Sequence, residues 1–520
     1  MLFDDALIGG LRRFASRPAL VDGPVRMDYR TLLDRVARLA VALRRSGLHP
    51  GDRVAALSTN GFRYMEVFLA APLAGLVVAP INPRLAAPEA AFIVNDAGAR
   101  AIFVAPACLP LYRQCRGALT TIEHELLLAG EAAEGLTAYE PWIAGADPAA
   151  LEPHRWHPEA LLLLCYTGGT TGRPKGVMLS AANVAANAKH AIAMAALRGD
   201  DVWLHAAPMF HLADSWTGHA LSRLGALHVF MEVFEPRQAL RLIQDCRVTA
   251  TSIVPTMILR MLDHMEREPC DVSSLRRLAY GASPMPVERL EQAWRRFGPV
   301  LQQCYGQSEA APFLATIPPE DVAPERPGGP LRRAASCGRA LPGVRLRIVD
   351  AEDRPVPPGT VGEIAARGPN IMLGYWNRPE ETRHALRGGW LHTGDLATMD
   401  EEGYLLVVDR AKDMIVTGAE NVYSTEVENA LYRHPAVQEA AVIGIPDERW
   451  GEAVTALVVL RPGHDVSAEQ IIAHCRAWIA AFKCPKRVEF RDALPKSGAG
   501  KILKAELRAP FWASQARKVH

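Results

Sequence analysis

The chain has 520 residues, with 58 basic and 57 acidic side chains and a formal net charge of +1. This balance supplies no global field for nucleic acid or an anionic membrane, so we expect a small-molecule activity and no nucleic-acid partner. The length exceeds what one hydrophobic core usually serves, which predicts two or more domains.

The N-terminus bears on the compartment. Residues 1–5 include two aspartates and lack the basic and then apolar layout of a secretory signal. No uninterrupted apolar stretch reaches the roughly 20 residues that a membrane span needs. We therefore expect a cytoplasmic protein without integral membrane association.

Helical and strand patterns then alternate along the chain. Apolar residues at helical spacing between Tyr29 and Ser46 predict a helix, and the apolar run that follows predicts a buried strand. Such alternation predicts α/β layers around a largely parallel sheet. The predicted strands are residues 51–57, 77–80, 101–105 and 161–165, and the predicted helices are 29–46, 62–74 and 181–196, the last with Ser180 as N-cap.

A glycine-rich segment, Tyr166-Thr-Gly-Gly-Thr-Thr-Gly-Arg-Pro-Lys-Gly176, follows the last of these strands. Glycines let the backbone approach an anion, threonine hydroxyls donate hydrogen bonds, and Lys175 supplies a positive charge, so the segment predicts a phosphate-binding loop. It is not the common P-loop, because Arg173 and Pro174 separate Gly172 from the lysine. We expect the helix that begins at Ser180 to add the partial positive charge of its N-terminus to this site.

The pattern changes in the last third of the chain. Short strand patterns broken by turn sequences over 350–404 predict a small β-rich subdomain. The charged segment 409–413 follows an apolar run and marks the predicted boundary between residues 1–409 and residues 410–520. Alternating helical and strand patterns in the second unit, of about 110 residues, predict an independent core.

The glycine-rich segment resembles the nucleotide loop of the acyl-adenylate-forming (AMP-binding) superfamily. That superfamily includes acyl-CoA synthetases, aryl-CoA ligases, luciferases and the adenylation domains of peptide synthetases. Six further segments match its motifs in the same order, and the resemblance, closest to acyl-CoA synthetases and aryl-CoA ligases, covers residues 160–505. These segments are Ala206-Ala-Pro-Met-Phe-His211, Tyr280-Gly-Ala-Ser-Pro284, Cys304-Tyr-Gly-Gln-Ser-Glu309, Trp390-Leu-His-Thr-Gly-Asp395, Asp409-Arg-Ala-Lys-Asp413 and Pro495-Lys-Ser-Gly-Ala-Gly-Lys501.

The resemblance implies an α/β fold: a large N-terminal domain of layered α/β subdomains with a small β-rich subdomain, and a small mobile α+β C-terminal cap. It implies ATP- and Mg²⁺-dependent activation of a carboxylic acid as an acyl-AMP. Its implied catalytic residues are Lys501, Glu309, His211 and Lys175, with Glu309 as the metal ligand. Its implied ATP- and AMP-binding residues are Thr167, Gly168, Gly169, Thr170, Thr171, Gly172, Gly281, Ala282, Ser283, Tyr305, Gly306, Gln307, Ser308, Asp395 and Arg410.

Individual roles follow from the same resemblance. Tyr305 would stack on adenine, while Asp395 and Arg410 would contact the ribose. Lys501 would enter the site with the mobile cap and orient the reacting groups, and Lys412 would be the hinge. For Asp395 a turn or N-cap role is the alternative, and for Lys501 a solvated loop position.

The acyl pocket implied by the resemblance is lined by His211, Asp214, Ser215, Trp216, Val254, Gly281, Gly306, Ala310 and Phe313. Here His211 would be an aromatic gate, with a packed core histidine as the alternative. Trp216 would shorten the pocket, and the small residues beside it leave width. We therefore expect a ring-bearing or medium-length acid.

The acceptor is the second substrate. Trp450, Phe482 and Lys483 match positions that bind CoA in acyl- and aryl-CoA ligases, and Arg84 is a further candidate for a CoA phosphate. Relatives carry Gly-Gly or Ser-Gly where this chain has Gly418-Ala419, and the extra methyl group would narrow the pantetheine tunnel. We predict an AMP-forming acid–CoA ligase, with an amide ligase that uses an amine instead of CoA as the alternative.

The nine cysteines contain no Cys-x-x-Cys pair. We expect reduced thiols in the core rather than disulfides or a zinc site. Cys165 and Cys304, which flank the predicted site, are expected to be apolar packing residues. The sequence gives no prediction of oligomeric state.

Overall fold

The computed structural model describes residues 3–167, 174–215, 217–283, 285–326, 328–418, 420–498 and 500–513, and of residues 3–6 and 213 the backbone only. Its strands are β1 (Pro18–Asp22), β2 (Val25–Asp28), β3 (Arg53–Leu57), β4 (Val77–Ile81), β5 (Ala99–Val104), β6 (His124–Leu127), β7 (Thr137–Ala138), β8 (Leu161–Thr167), β9 (Lys175–Ser180), β10 (Val202–His205), β11 (Leu227–Phe230), β12 (Ala250–Ile253), β13 (Arg277–Gly281), β14 (Leu301–Gly306), β15 (Phe313–Ile317), β16 (Arg339–Ala340), β17 (Arg345–Val349), β18 (Gly362–Arg367), β19 (Gly374–Tyr375), β20 (Leu391–Met399), β21 (Leu405–Arg410), β22 (Ile415–Thr417), β23 (Glu420–Val422), β24 (Val437–Asp447), β25 (Gly451–Leu460) and β26 (Arg487–Phe490).

Its α-helices are α1 (Phe3–Arg13), α2 (Tyr29–Arg45), α3 (Phe62–Leu73), α4 (Ala87–Ala97), α5 (Leu109–Arg116), α6 (Tyr139–Ala144), α7 (Ala181–Met194), α8 (Leu212–Ser215), α9 (Thr217–Ser222), α10 (Pro236–Asp245), α11 (Pro255–Met265), α12 (Val287–Phe297), α13 (Pro319–Val322), α14 (Pro379–Ala385), α15 (Ser424–Tyr432), α16 (Ala468–Arg476) and α17 (Lys504–Trp512). None of these helices is both long and apolar enough to cross a membrane.

Two large sheets form the N-terminal part of the molecule. One has the strand order β16-β15-β14-β13-β12-β10-β11-β1-β2 and the other β19-β9-β8-β4-β3-β5-β6-β7. The central strands of both sheets are parallel, with antiparallel strands at both edges of the first sheet and at the β9–β19 edge of the second. The fully buried strand β4 is a continuous apolar run, as is usual in a parallel sheet covered by helices.

A hairpin in the second sheet corrects one expectation about the phosphate loop. Ser180 does cap α7, because its hydroxyl accepts from the N–H of Asn183. However, residues 175–180 form β9, which pairs antiparallel with β8, so Ser180 lies opposite Leu161 at the far end from the loop. The N-terminus of α7 therefore adds no charge to the phosphate site, because a strand separates the two.

The β-rich subdomain and the C-terminal unit have separate sheets. An antiparallel sheet β17-β18-β20-β21 covers residues 345–410. The C-terminal sheet, β23-β22-β25-β24 with β26 beside β25, begins at Ile415, and apolar clusters pack on its two faces. This architecture confirms the predicted α/β fold with a small β-rich subdomain and a small C-terminal α+β unit. The nine cysteines are unpaired thiols, and burial raises the pKa of Cys304 to about 12.

Candidate active site

The β8–β9 hairpin fixes the two ends of the glycine-rich loop. Thr167 ends β8 and lies opposite Lys175 at the start of β9, with the Thr167 hydroxyl 3.5 Å from the Lys175 carbonyl oxygen. The hairpin therefore presents the Thr167 hydroxyl and the Lys175 ammonium group at the same end of the β8–β9 strand pair. The predicted loop residues Gly168, Gly169, Thr170, Thr171 and Gly172 lie outside the described residues.

Tyr375 joins this edge to the predicted metal ligand. Its hydroxyl donates to Glu309 Oε1 at 2.9 Å, and the ammonium of Lys175 lies 5.1 Å from its ring centroid, a cation–π contact. Sequence reasoning missed Tyr375 because its position depends on the pairing of β19 with β9, where Tyr375 lies opposite Val177. That pairing joins segments far apart in the chain, and no local pattern contains it.

Glu309 is suited to a divalent cation held together with a nucleotide. Its side chain is half-buried, and the hydrogen bond from Tyr375 orients the carboxylate. Across the described ranges, no group of three or more His, Cys, Asp or Glu side chains is arranged to hold a metal ion. A Mg²⁺ ion at Glu309 would therefore take its other ligands from phosphates and water, which is its usual habit in nucleotide sites.

The predicted adenine wall lies at the ends of β13 and β14. Gly281 ends β13, and Ala282 after it has φ of +70°, a left-handed conformation that costs a non-glycine residue about 1 kcal/mol. A Cβ at Gly306, at the end of β14, would overlap the carbonyl of Pro312. The predicted residues Gly281, Ala282, Ser283, Gly306, Gln307 and Ser308 are all partly exposed where these strands end.

Asp395 connects the predicted adenine and ribose residues. It is 4% exposed, its Oδ2 accepts from the Tyr305 hydroxyl at 2.8 Å, and its Oδ1 lies 3.1 Å from Nε of Arg410. Asp395 and Arg410 face each other across the β20–β21 pair. A turn or N-cap role does not describe this carboxylate, because it lies within β20 and its oxygens contact two other predicted site residues.

Lys501 enters the same cluster from the C-terminal unit. Burial and the charge of Arg410 lower the pKa of Lys501 to about 8, while Asp395 and Glu309 act in the opposite direction. Burial and the charge of Lys501 lower the pKa of His211 to about 4, so this imidazole is neutral at pH 7. Lys501 is half-buried in this conformation rather than fully solvated.

The loop before Lys501 rests on the N-terminal part of the molecule. Arg84 Nη1 donates to the carbonyl oxygen of Gly498 at 2.5 Å. Gly500 has φ of +81°, and a Cβ there would lie 3.3 Å from Val254 Cγ2. The approach of Gly500 to Val254 brings Lys501 beside the predicted acyl pocket. The hydrogen bond to Gly498 occupies the guanidinium of Arg84, which the sequence analysis predicted as a candidate for binding a CoA phosphate.

Side chains of the C-terminal unit hold the segment that contains Lys412. Asp409 accepts from the N–H and the hydroxyl of Ser424 at 2.6 and 3.0 Å. Arg508 pairs with Asp413 at 2.7 Å and donates to the carbonyl oxygen of Lys412 at 3.3 Å. The backbone from Lys412 onward is thus fixed to the C-terminal unit, whereas the side chain of Arg410 is fixed to Asp395.

The structure corrects one predicted acyl-pocket residue. The carboxylate of Asp214 is fully buried, accepts from Trp203 Nε1 at 3.1 Å and lies 2.8 Å from His205 Nδ1. A buried carboxylate needs such partners, so it stabilises the core behind α8 rather than lining the pocket. The predicted pocket residues Ser215, Val254, Ala310 and Phe313 are buried, and Trp216 lies outside the described residues.

The predicted acceptor residues lie on the C-terminal unit. Trp450 and Phe482 are 40% and 41% exposed, which is high for aromatic residues. Gly418 has φ of +59° beneath the Trp450 ring, and a Cβ there would lie 2.8 Å from the ring. Lys483 is paired with Glu426 at 2.8 Å, so in this conformation its charge is neutralised. Ala419 lies outside the described residues.

Comparison with known proteins extends the resemblance to almost the whole chain. A family model described as "AMP-binding enzyme" matches residues 10–376, and one described as "AMP-binding enzyme C-terminal domain" matches residues 426–501. The chain is 38% identical over 508 residues to the fatty acid–[acyl-carrier-protein] ligase ScoC of Streptomyces coeruleorubidus, with 97% of this chain and 95% of that protein covered.

Two further matches represent other acceptors. The chain is 39% identical over 497 residues to a feruloyl-CoA synthase of an Amycolatopsis species, covering 95% of this chain and 96% of that protein. The solved structure of the amide bond synthetase McbA from Marinactinospora thermotolerans superposes with a TM-score of 0.88 and 32% identity. It covers 98% of this chain and all of that one.

Proposed function

Because this chain belongs to the AMP-binding enzyme family, we propose that it joins a carboxylic acid to CoA, with ATP cleaved to AMP and pyrophosphate. The motifs' prediction of this family, and of AMP-forming ligase chemistry, is confirmed. The observation that carries the proposal is the position of Lys501, which reaches from the C-terminal unit into a cluster of Asp395, Glu309 and Arg410.

In the first half-reaction, a carboxylate oxygen attacks the α-phosphorus of ATP and pyrophosphate leaves. Two anions must approach each other, so positive charge and hydrogen-bond donors are required where phosphoryl charge accumulates. Lys501 and Lys175 supply the charge, and the Thr167 hydroxyl is a donor at the loop. A Mg²⁺ ion on Glu309 would neutralise further phosphate charge.

The nucleotide would be held by the strand ends. Tyr305 and the turn Gly281-Ala282-Ser283 would bind adenine, with Gly306, Gln307 and Ser308 beside it. Asp395 and Arg410 would bind the ribose, since their contacts with each other and with Tyr305 pre-organise them.

The second half-reaction requires Lys501 to leave. The thiol of CoA attacks the acyl carbon, AMP is displaced, and the thiol proton passes to solvent. We propose that residues 410–520 rotate as a cap relative to residues 1–409, with Lys412 as the hinge. Arg410 is attached to Asp395 and Lys412 to Arg508, which supports a turning point between them. The contact of Asp409 with Ser424 spans that point and would have to break when the cap rotates.

The choice of CoA as acceptor rests on exposed aromatic residues. Trp450 and Phe482 would stack on a purine once Arg449 and Lys483, which lie over their rings in this conformation, move aside. Lys483 would exchange Glu426 for a CoA phosphate. By name the relatives include a CoA synthase and a carrier-protein ligase, while an amide bond synthetase is a structural neighbour.

We also propose the type of acid and the cellular compartment. A ring-bearing or medium-length acid suits a pocket bordered by the small residues Gly306 and Ala310. Position 306 has to be glycine, because a Cβ there would overlap the carbonyl of Pro312. We place the enzyme in the cytoplasm, where ATP and CoA are available.

The test is an acceptor competition. The enzyme receives Mg²⁺, ATP and a panel of acids with CoA, with a mixture of amines or with a carrier protein, and products are identified by mass. We expect AMP, pyrophosphate and an acyl-CoA thioester. Formation of ADP and phosphate would contradict adenylation, whereas an efficient amide or acyl-carrier product without a thioester at saturating CoA would contradict only the acceptor.

A further inference from the structure

Helix α12 meets the C-terminal unit at a place that holds no predicted site residue. Glu288, in the first turn of α12, pairs with Arg433, and 2.7 Å separates its Oε1 from Nε of the arginine. The next residue, Arg289, donates from Nη2 to the carbonyl oxygen of Val437 at 3.2 Å. Arg433 directly follows α15, and Val437 begins β24. Two adjacent residues of one helix therefore hold the turn that connects α15 with β24, and we call these two bonds the α12 contact.

The bond from Arg289 is buried. Arg289 is 9% exposed, an unusual degree of burial for a charged side chain, and Val437 is fully buried. Arg289 Nη1 donates to Gln292 at 2.9 Å, whereas its Nε has no hydrogen-bond partner among the described residues. A hydrogen bond from a charged donor to a buried carbonyl oxygen depends strongly on distance and angle. This bond therefore fits one orientation of the C-terminal unit relative to α12.

The ion pair of Glu288 and Arg433 contributes to orientation more than to stability. Both side chains are partly exposed, and pairs of this kind add little to stability. Opposite charges across an interface nevertheless favour one docked arrangement, because a displaced charge loses its partner or faces a like charge. The same helix carries Glu291 and Arg295, which pair with each other at 3.3 Å. Helix α12 thus has one ion pair with the C-terminal unit and one within itself.

A side-chain bridge joins the α12 contact to the loop that carries Lys501. Glu439, two residues after Val437 in β24, pairs with Lys496 at 2.5 Å. Lys496 also forms an isolated β-bridge with Ile502, so it lies at the base of the loop. The turn held by α12 and the Lys501 loop are therefore linked through contiguous contacts of one body. The orientation fixed at α12 is also the orientation of Lys501.

We propose that Glu288 and Arg289 are positioning residues for adenylation, because they hold the C-terminal unit in the orientation that inserts Lys501. Both bonds of the α12 contact join the two parts that rotate relative to each other, so the rotation about Lys412 breaks them. A contact that stabilises one of two conformations shifts the balance between them. This inference rests on the proposed function, because it assigns the two residues to the first of its two half-reactions.

Charge reversal tests the ion pair. Glu288→Arg places two arginines together and should slow pyrophosphate release about five-fold. Transfer from preformed acyl-AMP to CoA should stay unchanged or become faster, because the lysine-inserted conformation is then less populated. The double variant Glu288→Arg with Arg433→Glu should return pyrophosphate release to within about two-fold of the wild type. Equal losses in both half-reactions, or no recovery in the double variant, would overturn the proposal.

Arg289 is tested with little change of volume. Arg289→Met keeps the aliphatic stem and removes the hydrogen bond, so pyrophosphate release should fall about five-fold. Arg289→Lys, which can still donate to the Val437 carbonyl oxygen, should recover part of the rate. An unchanged rate in Arg289→Met, or an equally large loss in transfer to CoA, would contradict the positioning role.

A second charge swap on α12 is the matched control. Glu291→Arg with Arg295→Glu reverses the pair within the helix and should leave both half-reactions within about two-fold of the wild type. A loss of adenylation as large as that of Glu288→Arg would assign the effect to the helix itself rather than to its contact with the C-terminal unit. That result would overturn the proposal.

Hydrogen exchange reports the orientation without catalysis. In Glu288→Arg, backbone amides in peptides that contain Lys501 should exchange faster than in the wild type, because the loop spends more time away from Arg84. The double variant with Arg433→Glu should restore the slower exchange, and equal exchange in the wild type and Glu288→Arg would overturn the proposal. Absence of pyrophosphate release from the wild type with every acid would instead contradict the proposed function, and the exchange comparison would still decide the role of the α12 contact.

Discussion

The Nη1 group of Arg84, in the N-terminal domain, donates to the carbonyl oxygen of Gly498, three residues before Lys501. Asn82 lies against the same glycine, since a Cβ there would be 2.6 Å from Asn82 Nδ2. The loop that carries Lys501 is therefore held by two neighbouring residues of the other domain. This contact belongs to the conformation in which Lys501 is inserted.

Replacing Arg84 with alanine should slow adenylation by weakening the insertion of Lys501. The guanidinium is exposed, so we expect a loss of about 1 kcal/mol, or roughly five-fold in pyrophosphate release. Arg84→Lys should recover part of the rate. Arg295→Ala, at an exposed position on α12, is the matched control and should have no effect.

The double variant Arg84→Ala with Lys501→Ala tests whether Arg84 acts through Lys501. If Arg84 acts through Lys501, Arg84→Ala should cause no further loss of adenylation in the Lys501→Ala background. A separate increase in KM for CoA would assign Arg84 to the CoA phosphate as well, and an additive loss of adenylation would contradict the positioning role.

Lys501→Ala should strongly impair adenylate formation while leaving preformed acyl-AMP to react with CoA. Loss of a charge aimed at the phosphoryl group should lower the adenylation rate about 10²- to 10³-fold. The two half-reactions are measured separately, by pyrophosphate release and by acyl-AMP consumption. Equal losses in both would indicate a structural role for Lys501.

Adenylation should decline as the pH rises through about 8. The pKa of Lys501 is lowered to about 8, so the side chain is charged below this pH and neutral above it. The value of kcat/KM for ATP reports the free enzyme, and it should fall on the alkaline side. Lys501→Arg, which stays charged, should remove this alkaline decline in kcat/KM. If the variant keeps the same decline, the titrating group is not Lys501.

Tyr375→Phe should increase the Mg²⁺ requirement of adenylation. The hydroxyl orients Glu309, and loss of such a partner commonly weakens a metal site about ten-fold or more. The Mg²⁺ concentration at half-maximal rate is the measurement. Tyr166→Phe is the control, because its hydroxyl donates to Asp96 instead and its loss should leave that concentration unchanged.

Trp450→Ala should raise the KM for CoA about ten-fold without changing pyrophosphate release in the absence of CoA, because one stacking surface is lost. Trp478→Ala is the matched control, since Trp478 is also exposed on the C-terminal domain and packs against an arginine as Trp450 does, but it is not a predicted CoA position. Equal effects of the two changes would contradict a CoA site at Trp450.

Local patterns predicted local structure well and long-range contacts poorly. The N-cap at Ser180 and the helix after it follow from a few adjacent residues, and both are present. The distance of that helix from the phosphate loop depends on the pairing of residues 175–180 with β8, which an apolar run alone does not distinguish from a loop.

The candidate site shows the same division. Motifs indicated Asp395, Arg410 and Lys501, and the structure brings them together. Tyr375 was missed because its partner Glu309 is distant in sequence. Asp214 was assigned to the pocket by the family resemblance, but its partners Trp203 and His205 come from β10.

The contact between Asp409 and Ser424 determines where related enzymes can be recombined. Asp409 lies in the last strand of the β-rich sheet, yet its carboxylate binds the first turn of the C-terminal helix α15. A chimera joined after Arg410 would take these two partners from different parents. A junction placed before Leu405 keeps Asp409, Ser424 and Arg508 together, and leaves Arg410 with Asp395 as the pair to be matched. An exchanged C-terminal segment would then bring its own acceptor surface to an unchanged acid pocket.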